Sequence, residues 1–253
     1  SLLERSKVML LAGALVMPGF DGEPAAEVLR RAREAGAITC LLVLYLITSE
    51  LNNQFNLPTL LQVGSFTLPC LPLTILIGLL TVGYFAYTGS LGRPMYILLV
   101  LVMILLATTE LGTDAWIISL MEPPMVKLGL APGFVLVYTA LIMTVLRFCI
   151  GPIERALKPL GVLLVSAVLA SAGLFLLSGA QAGTAILVFA TIYGLGKTFF
   201  WPCTLGVVSE RFPKGGALTL NAISGVGMLG VGVLGSQALG YWQDTRIDRE
   251  LQA

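Results

Sequence analysis

Long apolar stretches recur along this chain and are separated by short polar connections. A helix needs about 20 apolar residues, at a rise of about 1.5 Å each, to cross a bilayer. The pattern predicts seven spans, at residues 37–53, 66–88, 95–120, 131–150, 160–178, 184–208 and 217–240. The apolar stretch within residues 1–36 is too short to form a span, and the residues after it are charged. We interpret this segment as a cytoplasmic loop or surface helix. The predicted fold is therefore an all-α, polytopic transmembrane helix bundle.

Composition supports this interpretation and argues against several functional classes. Hydrophobic residues make up 57% of the chain and charged residues 11%, whereas a soluble domain carries about 25% charged residues. The net charge of +1 creates no field that would attract nucleic acid, so we expect the lipid bilayer and no nucleic acid as a partner. The chain has no histidine and four widely separated cysteines, and we expect neither a metal site nor a cofactor.

Positive charges in the connections predict an orientation, because cytoplasmic loops retain more Lys and Arg than loops on the other side. Alternate connections are basic. They contain Arg93 before the third span, Arg147 and Lys158 after the fourth, and Arg211 and Lys214 after the sixth. One parity fits them all and places the N-terminal segment in the cytoplasm and the C-terminal tail outside. We therefore expect an integral protein of the cytoplasmic (inner) membrane.

Three parts of the chain carry a resemblance to a known family. They are SLGRP with TTELGTDAW (90–94 and 108–116), the basic turn RFCIGPIERALKPLG (147–161), and YGLGKTFFWPCTLGVVSERFPKGGAL (193–218). Together they resemble the C-terminal half of a major facilitator superfamily (MFS) transporter, and within it the branch of the fucose permease and the nucleoside–proton symporters. The basic turn lacks the Asp–Arg pair and the Gly–Arg ending of the family's usual cytoplasmic loop.

The resemblance implies a domain organisation. Residues 91–253 would contain the family's helices seven to eleven, about five core helices, and a polar tail, with the last helix missing. Residues 37–90 would be a transmembrane helix pair linking the two halves, or would include the sixth helix of the N-terminal half. A single re-entrant hairpin at 37–66 is a further alternative. The missing N-terminal half would be a partner, and we expect the chain to be a fragment of a longer protein.

The same resemblance implies a function. The family's members are secondary active transporters, and the branch implies proton-coupled symport of a small polar organic solute, of the sugar or nucleoside type, by alternating access. Solute would bind near the middle of the membrane. Two alternatives remain open: a polytopic membrane enzyme of lipid metabolism, and a non-transporting sensor on a transporter scaffold. The enzyme alternative is less favoured because such enzymes gather their polar residues near an interfacial loop.

Carboxylates inside the third predicted span are candidate site residues, because a charge at membrane depth is costly. Glu110 and Asp114 are four residues apart and so lie on one helical face, with Thr113 beside them. Two carboxylates this close repel each other when both are ionised. A carboxyl group that exchanges a proton is what a proton-coupled symporter needs. Alternatively, Asp114 lies near the outer end of its helix and is simply hydrated.

A second polar face is predicted on the sixth span. Tyr193, Lys197 and Trp201 recur at intervals of four and therefore line one side of the helix. Helical rise places Glu110 about 22 Å and Lys197 about 18 Å from the inner ends of their spans, and we hypothesise that these two residues form an ion pair. Pro202 follows directly, so we expect this helix to bend or locally unwind.

The basic turn after the fourth span supplies the last candidates. Arg147, Glu154, Arg155 and Lys158 follow one another closely where a cytoplasmic loop is predicted. The resemblance implies a gating loop. Anchoring of the helix ends and orientation of the protein is the alternative explanation of the same charges.

Overall fold

The computed structural model describes residues 25–63, 66–131, 133–180 and 183–252. Its helices are α1 (Ala25–Gln54), α2 (Leu71–Thr88), α3 (Pro94–Ala107), α4 (Thr113–Lys127), α5 (Phe134–Phe148), α6 (Ile150–Ser178), α7 (Gly183–Lys197), α8 (Phe200–Arg211), α9 (Gly216–Gly230) and α10 (Ser236–Gln252). Two π-helical segments, Thr108–Gly112 and Val231–Gly235, join α3 to α4 and α9 to α10. Strands β1 (Leu61–Val63) and β2 (Phe66–Leu68) form a small antiparallel hairpin.

Among the described residues, six helical stretches are long and apolar enough to cross a membrane. They are Glu27–Gln54, Leu71–Thr88, Pro94–Ile118, Arg155–Ser178, Thr184–Arg211 and Gly216–Thr245. The chain is thus an all-α membrane helix bundle, as predicted. The predicted fourth span, 131–150, is wrong in length, because α5 has only 15 residues. A helix of that length rises about 22 Å, less than the hydrocarbon core of about 30 Å.

Helix α1 breaks at Gly36, where φ is 73° and ψ is 171°. This break falls at the predicted boundary between the surface segment and the first span. A Cβ atom at Gly36 would lie 2.0 Å from the backbone of Gly92, so only glycine fits this close approach. The amide of Ala37 donates to the carbonyl of Ser90 at 3.0 Å, and Arg33 Nε donates to the carbonyl of Thr88 at 2.7 Å. The start of the first span is therefore fixed to the α2–α3 connection.

The second predicted span, 66–88, begins later than expected, at Leu71. The strand hairpin occupies the residues before it. Asn52 at the end of α1 holds this connection, because its Oδ1 accepts from the amide of Cys70 at 3.0 Å and its Nδ2 donates to the carbonyl of Leu57 at 3.1 Å. Residues 37–90 thus contain two helices and a short hairpin.

The chain divides into two compact units. Of the described residues, unit 1 comprises those up to 105 and those from 208 onward, and unit 2 comprises those from 106 to 207. In unit 1, α1 packs against α2 and α9. The buried Tyr96 hydroxyl donates there to the carbonyl of Thr219 at 2.7 Å, and its ring meets Phe212 edge-on at 5.4 Å.

The core of unit 2 is built around α6 and α7, which pack closely against each other. Glycines allow this approach. A Cβ atom at Gly173 of α6 would lie 2.5 Å from the backbone nitrogen of Tyr193. One at Gly196 of α7 would lie 2.3 Å from the backbone nitrogen of Ala170. Larger residues at either position would push the two helices apart, so both glycines set the position of the end of α7.

Candidate functional site

Four charged side chains inside unit 2 form two ion pairs. Lys197, the last residue of α7, donates from Nζ to Oδ1 of Asp114 in the first turn of α4. Arg147, in the last turn of α5, approaches Glu110 of the π-helical segment, with Nη2 3.5 Å from Oε1. Each basic residue thus faces one carboxylate. Pairing of this kind offsets part of the cost of placing charges away from water.

Lys197 is the most deeply buried of the four. Its side chain has no exposed surface, whereas that of Asp114 is 23% exposed. Its Nζ also lies 5.0 Å from the ring centroid of the buried Tyr193, a distance at which an aromatic face attracts a cation. The Tyr193 hydroxyl donates to the carbonyl of Thr109 at 2.8 Å. These contacts tie the end of α7 to the π-helical segment and the start of α4.

The pair formed by Glu110 and Arg147 is looser. The Glu110 side chain is 4% exposed, and that of Arg147 is 47% exposed. Oε2 of Glu110 is buried and has no hydrogen-bond partner among the described residues. A buried polar atom without a partner is costly, and this oxygen can accept a proton or a hydrogen bond from a bound molecule. Glu110 is therefore the less fully satisfied member of this pair.

The predicted ion pair between Glu110 and Lys197 is wrong in its partners. Lys197 pairs with Asp114, and Glu110 pairs with Arg147. Helical rise estimates depth but not the direction in which a side chain points. The π-helical segment Thr108–Gly112 also changes the direction of the residues that follow it, compared with a continuous α-helix. Nothing in the sequence pattern indicated this segment.

The predicted gating-loop residues do not stay together. Arg147 belongs to the ion pair with Glu110, because α5 ends at Phe148 and keeps Arg147 within its last turn. Arg155 and Lys158 are exposed, and no described ion pair joins them to the site. Lys158 has a positive φ of 58° immediately before Pro159, where α6 breaks. The side chain of Glu154 lies outside the described part of the structure.

The predicted bend in the sixth span is confirmed. Helix α7 ends at Lys197 and α8 begins at Phe200, so the break lies just before Trp201. Trp201 is half-buried and packs against the apolar core of unit 2. Thr204, one turn further, is fully buried, and its hydroxyl has no hydrogen-bond partner among the described residues. The polar face predicted on this span thus continues past the break.

The chemistry available to this site is proton exchange and hydrogen bonding. It contains two carboxylates, two cations, a tyrosine and two buried oxygens without partners. The described residues include no group of three or more His, Cys, Asp or Glu side chains that could hold a metal ion. The predicted candidates Glu110, Asp114, Tyr193 and Lys197 lie close together here, whereas the pairing of Arg147 with Glu110 was not predicted. A long basic side chain at a helix end has the same pattern whether it faces water or a carboxylate.

No family model matches this chain, and neither does any curated protein or any solved structure. The functional interpretation therefore depends on the site itself and on the sequence motifs.

Proposed function

We propose that this protein is a secondary active transporter of the MFS type. It moves a small polar organic solute, of the sugar or nucleoside type, by proton-coupled symport with alternating access. The observation that carries this proposal is the pair of ion pairs in unit 2, with a fully buried lysine, in a protein whose helices span the membrane. Ionisable residues inside membrane spans are expensive and mark ion or substrate pathways.

The geometry of the two pairs suits coupling to protons. A proton that binds to Glu110 removes the charge that faces Arg147, and the exposed guanidinium can then turn to a solute or to water. A second change of partner is available at Asp114, which is the more accessible member of its pair with Lys197. Binding energy that rearranges such pairs biases a transporter toward one of its two states.

The sugar or nucleoside class rests on the resemblance of the motifs in residues 90–218, and the unpartnered oxygens of Glu110 and Thr204 fit it. Both oxygens are buried in this structure, so in this proposal they accept hydroxyl groups of the solute only in the second conformation that alternating access opens. In this proposal, the polar face of unit 2 forms one wall of the solute path. The N-terminal half that the resemblance implies forms the opposite wall.

Uptake into vesicles tests the proposal. The natural full-length protein is reconstituted into liposomes, an inward proton gradient is imposed, and uptake of radiolabelled sugars and nucleosides is measured. We expect gradient-dependent uptake that is lost in Lys197→Met and retained in Glu122→Gln, an exposed acid on α4 away from both pairs. Binding of a solute without uptake would instead identify a sensor, and uptake that is equal in Lys197→Met would contradict the assignment of the site.

A further inference from the structure

A basic pocket lies in unit 1, separate from the ion pairs. It has a volume of about 490 Å³. Its lining residues are Gly92, Arg93, Pro94, Met95, Arg211 and Phe212. Two of the six residues are arginines, and none is acidic. The buried Phe212, fixed edge-on against Tyr96, gives the pocket a rigid apolar wall.

The two arginines differ in how they are held. Arg93 forms an ion pair with Glu34, with Nε 2.7 Å from Oε2, and the Glu34 side chain is only 8% exposed. This buried carboxylate fixes the guanidinium by one nitrogen, while the Arg93 side chain as a whole remains 57% exposed. More than half of the Arg93 side chain is thus open to an acceptor from outside the protein. Arg211 is exposed at the end of α8 and makes no ion pair with a described residue.

The pocket lies where two apolar spans end. One candidate span begins at Pro94 and another ends at Arg211. The ends of membrane spans lie at the level of the lipid headgroups, so the two guanidinium groups lie at the depth of lipid phosphates. Met95 is 43% exposed and Leu98, further along α3, is 55% exposed. Apolar side chains directly beyond the arginines provide a surface for an acyl chain.

We propose that this pocket binds the phosphate group of an anionic phospholipid. Arginine presents a planar set of donors that matches phosphate oxygens and favours paired hydrogen bonds. Arg93 is preorganised by Glu34, and Arg211 adds the second cation. Basic pockets between membrane helices recognise anionic headgroups in this manner. This site is independent of the proposed transport function, because it uses none of the residues of the two ion pairs.

Lipid titration of the full-length protein, followed by native mass spectrometry, tests the proposal. The probes are phosphatidylglycerol, phosphatidylcholine and inorganic phosphate, each added to detergent-purified protein. Arg211→Gln is the main variant, because Arg211 is exposed at the end of α8 and makes no ion pair with a described residue, so we expect the variant to fold. Arg155→Gln is the matched control, because Arg155 is an exposed arginine that also lies at the end of a candidate span but does not line this pocket.

We expect phosphatidylglycerol to bind the natural protein about fivefold more tightly than Arg211→Gln, which corresponds to the roughly 1 kcal/mol that one basic residue contributes at an anionic surface. Arg155→Gln should match the natural protein, and phosphatidylcholine should bind all three equally and more weakly. Equal phosphatidylglycerol affinity in Arg211→Gln would overturn the proposal. Displacement of the lipid by inorganic phosphate at equal concentration would also overturn it, by identifying free phosphate as the ligand.

Discussion

Replacement of Asp114 by Asn is the sharpest test of the buried ion pair. The substitution keeps the size of the side chain and removes the charge that faces Lys197. The Lys197 side chain has no exposed surface, so its ammonium group cannot recover hydration without movement of the helices. Removal of one partner from a buried pair costs roughly 3–5 kcal/mol, because the other charge remains buried and unpaired. The nearby Tyr193 ring is present in both proteins and does not change this difference.

Replacement of the other partner, Lys197, should destabilise the protein less. Lys197→Met removes the buried charge and leaves Asp114, whose side chain is 23% exposed and can be hydrated. We expect a cost of no more than about 2 kcal/mol for this change. The double variant, Asp114→Asn with Lys197→Met, should be about as stable as Lys197→Met alone. Asp114→Asn should therefore be less stable than the double variant. Additive effects would instead make the double variant the least stable of the three.

Thermal unfolding of the purified variants in one detergent measures this order. For a protein of this size, 1 kcal/mol shifts the midpoint by about 2–4 °C, so Asp114→Asn should lower it by about 6–20 °C. Glu122→Gln, an exposed acid on the same helix, should stay within about 0.5 kcal/mol of the natural protein. If Asp114→Asn were as stable as Lys197→Met, the buried charge of Lys197 would not need Asp114 as its partner. The ion pair would then contribute nothing measurable to the free energy of unfolding.

Three further predictions concern helix packing and proton coupling. Gly173→Ala places a Cβ atom 2.5 Å from the backbone of α7 and should lower the free energy of unfolding, measured by thermal unfolding, by about 1–3 kcal/mol. Gly161→Ala on the same helix, where the nearest contact would be at 3.6 Å, should not destabilise the protein. Gly36→Ala combines a positive φ with a 2.0 Å backbone clash and should abolish monodisperse protein in size-exclusion chromatography, whereas Gly83→Ala, with no atom within 4 Å, should not. Glu110→Gln should make solute uptake independent of an imposed proton gradient, and an unchanged dependence would contradict its role as the proton site.

Most of the apolar helices could be located from the sequence, because hydropathy depends on composition over long windows and not on detailed packing. Six of the seven predicted spans correspond to long apolar helices. The exception, α5, is apolar but ends at Phe148. The strand hairpin at Leu61–Leu68 was also missed, since its short strands adjoin the apolar run that follows. Apolar content alone does not distinguish a short strand or a short helix from the end of a span.

The candidate site was only partly predictable. Charge at membrane depth identified Glu110, Asp114 and Lys197, because that argument needs only the position of each residue within an apolar run. Which acid meets which base depends on the direction of each side chain, and the π-helical segment Thr108–Gly112 alters that direction locally. Arg147, at the cytoplasmic end of its predicted span, was grouped with the gating loop because the residues that follow it are basic, and the sequence could not show that its side chain faces Glu110. Both errors concern backbone geometry and not chemistry.

Several features of unit 2 that are individually unfavourable occur together. The π-helical segment has a backbone geometry that is rare in helices, the Lys197 side chain is fully buried, and a Glu110 oxygen has no described partner. Gly173 and Gly196 allow α6 and α7 to approach closely near the end of α7, although glycine weakens a helix. None of these features is needed to fill an apolar core, where leucine would serve better. Locally unfavourable features that cluster at one place are expected at functional sites. Their concentration around the two ion pairs therefore supports a functional role for unit 2 more strongly than any single charged residue does.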